Sequence, residues 1–180
     1  MLSPDDQEWL LGLARSTIRA SLDGKRPPDD PPEPGPLTEI RGAFVTLTID
    51  GVLRGCIGHV IGADPLWLSV RANAINAAFR DPRFSPLSAP EFEAIEIEIS
   101  ALTPLRKISS PGEIVIRRDG LVIERGLNRG LLLPQVAERY DWSPEEFLDQ
   151  PCRKAGMKPG CWRSDNAEIS AFSAEVFGES

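Results

Sequence analysis

Apolar residues recur along the chain with two different periods, which predict helices in some segments and strands in others. Between residues 3 and 22, leucine, alanine and isoleucine return every three or four positions, behind a Ser-Pro pair that suits a helix N-terminus. Similar spacing predicts a second helix at 65–80 and helical turns at 134–140 and 144–148. Helices are therefore expected in both halves of the chain.

A period of two marks the predicted strands. The runs 43–49 and 52–57 flank Asp50-Gly51, a pair that supplies the positive φ angles of a type I′ turn, so they predict a β-hairpin. Residues 95–102 alternate apolar with polar side chains and predict a strand with one buried face. We expect the hairpin to lie at the centre of the sheet.

A second, shorter hairpin is predicted from the runs 113–117 and 121–124, because Asp119-Gly120 stands between them. The segment 169–177 mixes strand and helix signals, and we assign it to a strand. Helices and hairpins alternate irregularly along the chain. The predicted fold class is therefore α+β, with a mixed or antiparallel sheet and packed helices rather than a doubly wound parallel sheet.

Residues 27–36 contain six prolines, which exclude both a helix and a regular strand ladder. This composition predicts a semi-rigid surface loop, and the functional alternative is a ligand for a proline-binding module. No repeat or change of composition marks a separate domain elsewhere. Residues 1–180 are therefore expected to form a single domain.

The net charge of −7 disfavours nucleic acid as a partner, because an acidic protein releases no counterions from a phosphate backbone. It disfavours an anionic membrane surface for a related reason. No apolar run is long enough to span a bilayer, and the N-terminus is acidic, so a cytoplasmic protein is expected. The three cysteines form no CxxC pair, and we expect no disulfide between Cys152 and Cys161.

The most unusual segment is Leu-Arg-Gly-Cys-Ile-Gly at residues 53–58. Glycines weaken a strand, so Gly55 and Gly58 suggest close approach by a ligand or another chain. Arg54 and Cys56 share a strand face, and a guanidinium near a thiol favours the reactive thiolate. The motif is then expected to line a concave surface. The structural alternative is that Cys56 simply packs as a small apolar residue in the strand.

His59, the only histidine of the chain, lies three residues beyond Cys56 and so on the opposite face of a regular strand. A Cys-His pair would require a bend at Gly58, and otherwise His59 is a surface histidine. Cys152 and Cys161 could join these two residues in a metal site. However, they lack the close paired spacing of zinc ligands, so no metal site is predicted.

Residues 53–58 carry the signature of the AMMECR domain, and the chain resembles the prokaryotic members of that family, known as protein A of the AmmeMemoRadiSam system. Two positions depart from the family pattern: His59-Val60 replaces Thr and an aromatic residue, and Asp119 replaces a frequent histidine. The resemblance extends through several further segments, namely Ala78-Phe79, 81–84, 98–104, 132–137, Cys152, 154–156 and Trp162.

The resemblance implies a two-lobed α+β domain of unestablished activity. It also implies association with a Memo-type protein and a radical S-adenosylmethionine enzyme in a redox or modification pathway. The sequence itself indicates no cofactor, and an iron–sulfur cluster would belong to the partner, because this chain lacks the cysteines for one.

Three hypotheses remain open: an enzyme that uses Cys56, a non-catalytic adaptor or substrate-holding module, and a metal or cofactor carrier. For the enzyme, the expected catalytic residues are Cys56, Arg54 as activator, and Glu98. We expect four ionisable groups from three separate segments to converge on Cys56, namely Arg54, Asp81, Arg83 and Glu98. Such charges are costly in a core and would need a polar cleft. The resemblance implies that Gly55, Gly58, Asp81 and Arg83 bind a ligand or partner there, and His59 is expected beside them. The alternative for Asp81 and Arg83 is that they pair with each other in the turn that ends the helix.

Overall fold

The structure is a computed structural model that describes residues 1–134, 136, 140 and 142–179. The chain divides into two compact units. Unit 1 comprises Met1–Leu102 with Glu175–Ser180, and unit 2 comprises Thr103–Ala174. None of the helices in the described ranges is long and apolar enough to cross a membrane.

The described elements mix helices and strands, which confirms the α+β prediction. The helices are α1 (Pro4–Leu22), α2 (Leu66–Phe79), α3 (Ala89–Phe92) and α4 (Pro144–Lys154), with 3-10 turns at Pro36–Thr38, Pro111–Glu113 and Cys161–Arg163. The strands are β1 (Ala43–Ile49), β2 (Val52–His59), β3 (Ile95–Leu102), β4 (Arg106–Lys107), β5 (Gly120–Arg125), β6 (Asn128–Leu132), β7 (Glu168–Phe172) and β8 (Ala174–Gly178).

In unit 1, helices pack on one face of a four-stranded sheet. Helix α1 begins at a capping box in which the Ser3 hydroxyl accepts the Asp6 N–H and the Asp6 carboxylate accepts the Ser3 N–H. Alternate residues of β1 and β3 are buried, as the period of two predicts. The largest of them, Leu47, Ile97 and Ile99, belong to the same apolar cluster as the buried residues of α1 and α2.

The sheet of unit 1 has the order β2-β1-β3-β8, so only β1 of the hairpin is a central strand. Asp50 and Gly51 form its turn with φ angles of 51° and 74°, which confirms the predicted hairpin. However, β2 lies at the sheet edge, and the prediction that the whole hairpin is central was wrong. The physical reason is burial: β1 and β3 each alternate buried with accessible residues, whereas Gly55 is the one fully buried residue of β2.

In unit 2, the sheet has the order β4-β7-β5-β6, and α4 packs against it. The predicted hairpin at Asp119-Gly120 is wrong, because the strand that begins at Gly120 instead turns at Gly126 and pairs with β6. Asp119 is buried, and its carboxylate accepts the Val115 N–H at 2.9 Å and binds the Arg118 guanidinium. It therefore closes a turn before the strand rather than a hairpin between strands.

Unit 2 also contains a disulfide between Cys152 and Cys161, which contradicts the prediction of reduced thiols. The chain turns back after α4, with Gly156 and Gly160 both at positive φ, and brings the two Cα atoms to 5.9 Å. Both cysteines lie in the apolar core of unit 2. Residue spacing alone carried no sign of this reversal, and the prediction rested on the expected compartment.

Two other segments match their predictions. Residues 169–177 do form strands, interrupted at Ser173, with β7 in the sheet of unit 2 and β8 in that of unit 1. The proline-rich residues up to 35 form no helix or strand, and Asp29 in this loop pairs with Arg26 and Arg71. The helical turn predicted at 134–140 lies largely outside the described residues.

Candidate functional site

Cys56 lies on the face of the sheet opposite the helices of unit 1. Its strand partner Thr46 pairs on its other side with Glu98, so a thiol, a hydroxyl and a carboxylate form one row across three strands. The Thr46 hydroxyl donates a hydrogen bond to the Cys56 sulfur at 3.3 Å. Cys56 is a free cysteine and is half-buried. The sulfur therefore accepts a hydrogen bond in a residue that is only partly buried.

Two charged side chains from the turn after α2 form hydrogen bonds with the backbone of Cys56. The Cys56 N–H donates to the Asp81 carboxylate at 2.9 Å, and the Arg83 guanidinium donates to the Cys56 carbonyl oxygen at 3.2 Å. Asp81 and Arg83 also pair with each other at 2.7 Å. We call this arrangement the Asp81–Arg83 clasp. It occupies the outer edge of β2 at Cys56, where an edge strand would otherwise present unpaired groups.

Asp81 is 3% exposed, and both of its carboxylate oxygens accept hydrogen bonds. Hydrogen bonds from the Arg83 side chain, and then from the N–H groups of Cys56 and Arg83, hold the pKa of Asp81 well below its usual range despite the opposing effect of burial. The clasp is therefore an ionised pair at neutral pH.

Arg54 turns to a different partner. Its guanidinium binds the Glu91 carboxylate at 2.8 Å and the Ser85 carbonyl oxygen at 3.0 Å. Hydrogen bonds from Arg54 and then from Ser88 lower the pKa of Glu91 from its ordinary value of 4.5 to about 2. In the described ranges no hydrogen bond joins Arg54 with Cys56, so the guanidinium in contact with Cys56 is that of Arg83.

The two glycines of the motif admit parts of the same chain. A Cβ atom on Gly55 would lie 2.2 Å from the Ala77 carbonyl oxygen of α2, and one on Gly58 would lie 2.4 Å from the Phe44 ring. The close approach that these glycines predict is therefore real. However, it is made by a helix backbone and an aromatic ring, and nothing in these contacts indicates a ligand.

A β-bulge at Arg54 sets the alignment of the row. Leu47 pairs with Gly55 but Thr48 pairs with Leu53, which leaves Arg54 as the extra residue. The bulge places Cys56 opposite Thr46.

The predicted convergence on Cys56 is met by half of its members. Asp81 and Arg83 contact Cys56 directly, whereas Arg54 binds Glu91. Glu98 is exposed and lies two interstrand spacings from Cys56, or roughly 10 Å, with Thr46 between them. This distance is too long for Glu98 to exchange a proton with the sulfur directly.

A family model described as AMMECR1 matches residues 11–177. The chain belongs to the AMMECR1 family. It is 43% identical to a Pyrococcus furiosus protein over 186 residues, covering 96% of this chain and 87% of the relative. It is 42% identical to a Methanothermobacter thermautotrophicus protein over 187 residues, covering 99% and 96%. The crystal structure of an uncharacterized Pyrococcus horikoshii protein matches with a TM-score of 0.74, 39% identity and coverage of 97% and 91%.

The structure also describes His59 and Asp119, at which this sequence departs from the family pattern. His59 ends β2 and is exposed, and none of its described contacts forms a Cys-His pair. Asp119 is held by Arg118 and Val115 in unit 2, so the acid that replaces the frequent family histidine is a buried structural group. Among the residues that the structure describes, no group of three or more His, Cys, Asp or Glu side chains could hold a metal ion.

Sequence reasoning missed Thr46 and Glu91. Glu91 follows a Ser88-Ala-Pro helix start, and its capping bonds to Ser88 could have been predicted from that pattern. Thr46 carried a weaker signal. Counting outward from the Asp50-Gly51 turn pairs Thr46 with Gly55 rather than with Cys56, because the bulge shifts the register by one residue.

Proposed function

We propose that this AMMECR1-family chain is a thiol-dependent enzyme that uses Cys56 as a nucleophile toward a group presented by a partner protein. The observation that carries the proposal is the Thr46 hydroxyl, which donates to the free, half-buried Cys56 sulfur at 3.3 Å. A donor directed at sulfur supports the electron-rich form from which a thiol reacts.

The Asp81–Arg83 clasp supports the same chemistry. The Arg83 guanidinium donates to the Cys56 carbonyl oxygen at 3.2 Å, which places a positive charge on the same residue as the sulfur. In the proposed step the thiol proton passes to solvent and the sulfur forms a bond to an electron-poor atom. The leaving group departs with the bonding electron pair. A second nucleophile then releases the product and restores the thiol.

A protein partner is favoured over a small substrate because Cys56 is only half-buried and lies on an edge strand, which another chain can approach. A partner that presents its own reactive group needs no cleft on this chain. The resemblance to the AmmeMemoRadiSam system suggests a Memo-type protein or a radical S-adenosylmethionine enzyme as that partner. A cytoplasmic location belongs to the same proposal.

The test is the rate at which iodoacetamide alkylates Cys56 in wild-type protein, Thr46→Val and Thr48→Val. Only Cys56 should react, because the other cysteines form the disulfide. Loss of one hydrogen bond to the sulfur should slow alkylation at neutral pH by roughly fivefold in Thr46→Val. Thr48→Val is the matched control, since Thr48 lies two residues along the same strand and pairs with Leu53. Equal alkylation rates in all three proteins, or a Cys56 thiol that does not react, would contradict the proposal that Cys56 is a nucleophile.

An adaptor without catalysis is the second candidate. It is favoured by the two motif glycines and Arg54, whose described contacts are all structural, so the motif does not require a reaction to explain it. The two candidates differ in what Cys56→Ser does. An adaptor keeps its partner and its cellular effect in this variant, whereas the enzyme keeps only the partner.

A further inference from the structure

A second polar feature of unit 1 lies at the end of β2 that His59 occupies. A cavity of about 230 Å³ opens between the strand ends and the first turns of α2. Its lining residues are Gly42, His59, Ile61, Ala63, Asp64, Ser69, Ala72 and Asn73, all of them in unit 1. This volume is below that of typical drug-sized sites, so it suits a small ligand.

Asn73 is the unusual member of this lining. It is 1% exposed and lies on the buried face of α2 among Val70, Ala74 and Ala77, where an apolar residue is expected. Its amide nitrogen donates to the Ala43 carbonyl oxygen at 3.1 Å, which fixes the orientation of the amide. Its Oδ1 atom is buried and has no hydrogen-bond partner among the described residues.

An unpaired buried acceptor is unfavourable unless a donor reaches it. Two of the other polar side chains of the lining, Asp64 and Ser69, offer acceptors too, and the third, His59, has one donor and one acceptor nitrogen when its imidazole is neutral. Asp64 brings a carboxylate, and the Ser69 hydroxyl directs its proton at the Arg41 carbonyl oxygen at 3.2 Å, which leaves its lone pairs available. Three acceptors and a negative charge disfavour an anion and favour a cation that donates several hydrogen bonds.

The apolar part of the lining limits what that cation carries. Ile61, Ala63 and Ala72 add aliphatic surface beside the acceptors. We propose that this cavity binds a small primary amine, with its ammonium group donating to Asn73 and Asp64 and a short aliphatic chain against Ile61. This site goes beyond the proposed thiol chemistry and does not depend on it.

The experiment is a titration of ¹⁵N-labelled full-length protein with n-butylammonium chloride, followed by NMR chemical shifts. We expect saturable shifts confined to residues that line the cavity. Asn73→Leu and Asp64→Asn should each weaken binding about tenfold, the effect of losing one charge-assisted hydrogen bond. Asp50→Asn is the matched control, because it removes the same charge from an exposed turn outside the cavity.

A cavity-filling variant and a ligand of opposite charge test the same site. Ala72→Leu fills the cavity from an exposed helix position and should abolish binding even if Asn73→Leu fails to fold. Butyrate has the same chain with the opposite charge and should not bind. Absence of saturable shifts with butylammonium, which would mean that water alone satisfies Asn73, overturns the proposal, and so does equal binding of butyrate. Neither result bears on the reactivity of Cys56.

Discussion

Asp81 in unit 1 and Asp119 in unit 2 are built alike but serve different ends. Each is nearly fully buried, each binds an arginine within two residues, and each accepts a backbone N–H. For Asp119 that N–H belongs to Val115, four residues away, so the group closes a local turn. Asp81 accepts the N–H of nearby Arg83 and also that of Cys56, which is 25 residues away in another element. The same pairing of a buried aspartate with a nearby arginine therefore closes a loop in unit 2 and holds the backbone of the candidate site in unit 1.

The largest effect should come from replacing each aspartate by alanine. Asp81→Ala and Asp119→Ala both lose charge-assisted hydrogen bonds, and each should lower the melting temperature by roughly 5–10 °C. Only Asp81→Ala should also change the alkylation rate of Cys56, by several fold, because only Asp81 holds that residue. Calorimetry and iodoacetamide kinetics on the same samples check both parts. If Asp119→Ala alters Cys56 as strongly, the contrast between the two devices is wrong.

Acid should weaken the Asp81 device in a predictable direction. Because the folded-state pKa of Asp81 is depressed, its contribution to stability is present above its unfolded pKa near 4 and is lost as pH falls toward the folded value. Glu91 behaves likewise, between its ordinary 4.5 and about 2. Asp81→Asn and Glu91→Gln should therefore each lose less stability than wild-type protein when the pH falls from about 4.5 to about 2.

Urea unfolding at several pH values measures this effect as protons taken up on unfolding. Each variant should take up fewer protons than wild-type protein, by up to about one per molecule. A matched control is Glu96→Gln, because Glu96 is exposed on β3. Identical pH slopes for wild-type protein and Asp81→Asn would contradict the assigned ionisation of the clasp.

The smallest effect should come from exchanging the arginines for lysine. Lysine keeps the charge but loses the forked geometry with which Arg83 reaches Asp81 and the Cys56 carbonyl oxygen together. We expect Arg83→Lys to change the alkylation rate of Cys56 by roughly two- to threefold. Arg118→Lys should leave the rate unchanged. A rate change in Arg118→Lys alone would reverse the comparison.

Local signals predicted the elements of unit 1 well. The Ser3 cap, the Asp50-Gly51 turn and the alternation of β3 all act over a few residues, so the sequence displays them directly. The same turn signal failed at Asp119-Gly120. Burial of the Asp119 carboxylate against Arg118 outweighed the intrinsic preference of the dipeptide, and no pattern of neighbouring residues distinguishes the two cases.

The candidate site was predictable in its members but not in its geometry. Cys56, Asp81 and Arg83 were all named from the sequence, and the structure brings them together. The bulge at Arg54 decides which threonine faces the sulfur and sends the guanidinium to Glu91. A single inserted residue in a strand ladder has no reliable signature in one sequence. The sequence therefore predicted that Arg54 contacts Cys56, whereas the guanidinium that contacts Cys56 is that of Arg83.

The split strand pair at Ser173 imposes an order on biosynthesis. Strand β8 completes the sheet of unit 1 beside β3, yet it follows the whole of unit 2 in the chain. A ribosome therefore delivers three strands of that sheet early and the fourth only after Thr103–Ala174 has been translated. Until then the edge of β3 has no partner strand, and a nascent chain halted before residue 174 presents a row of unpaired backbone groups to its neighbours.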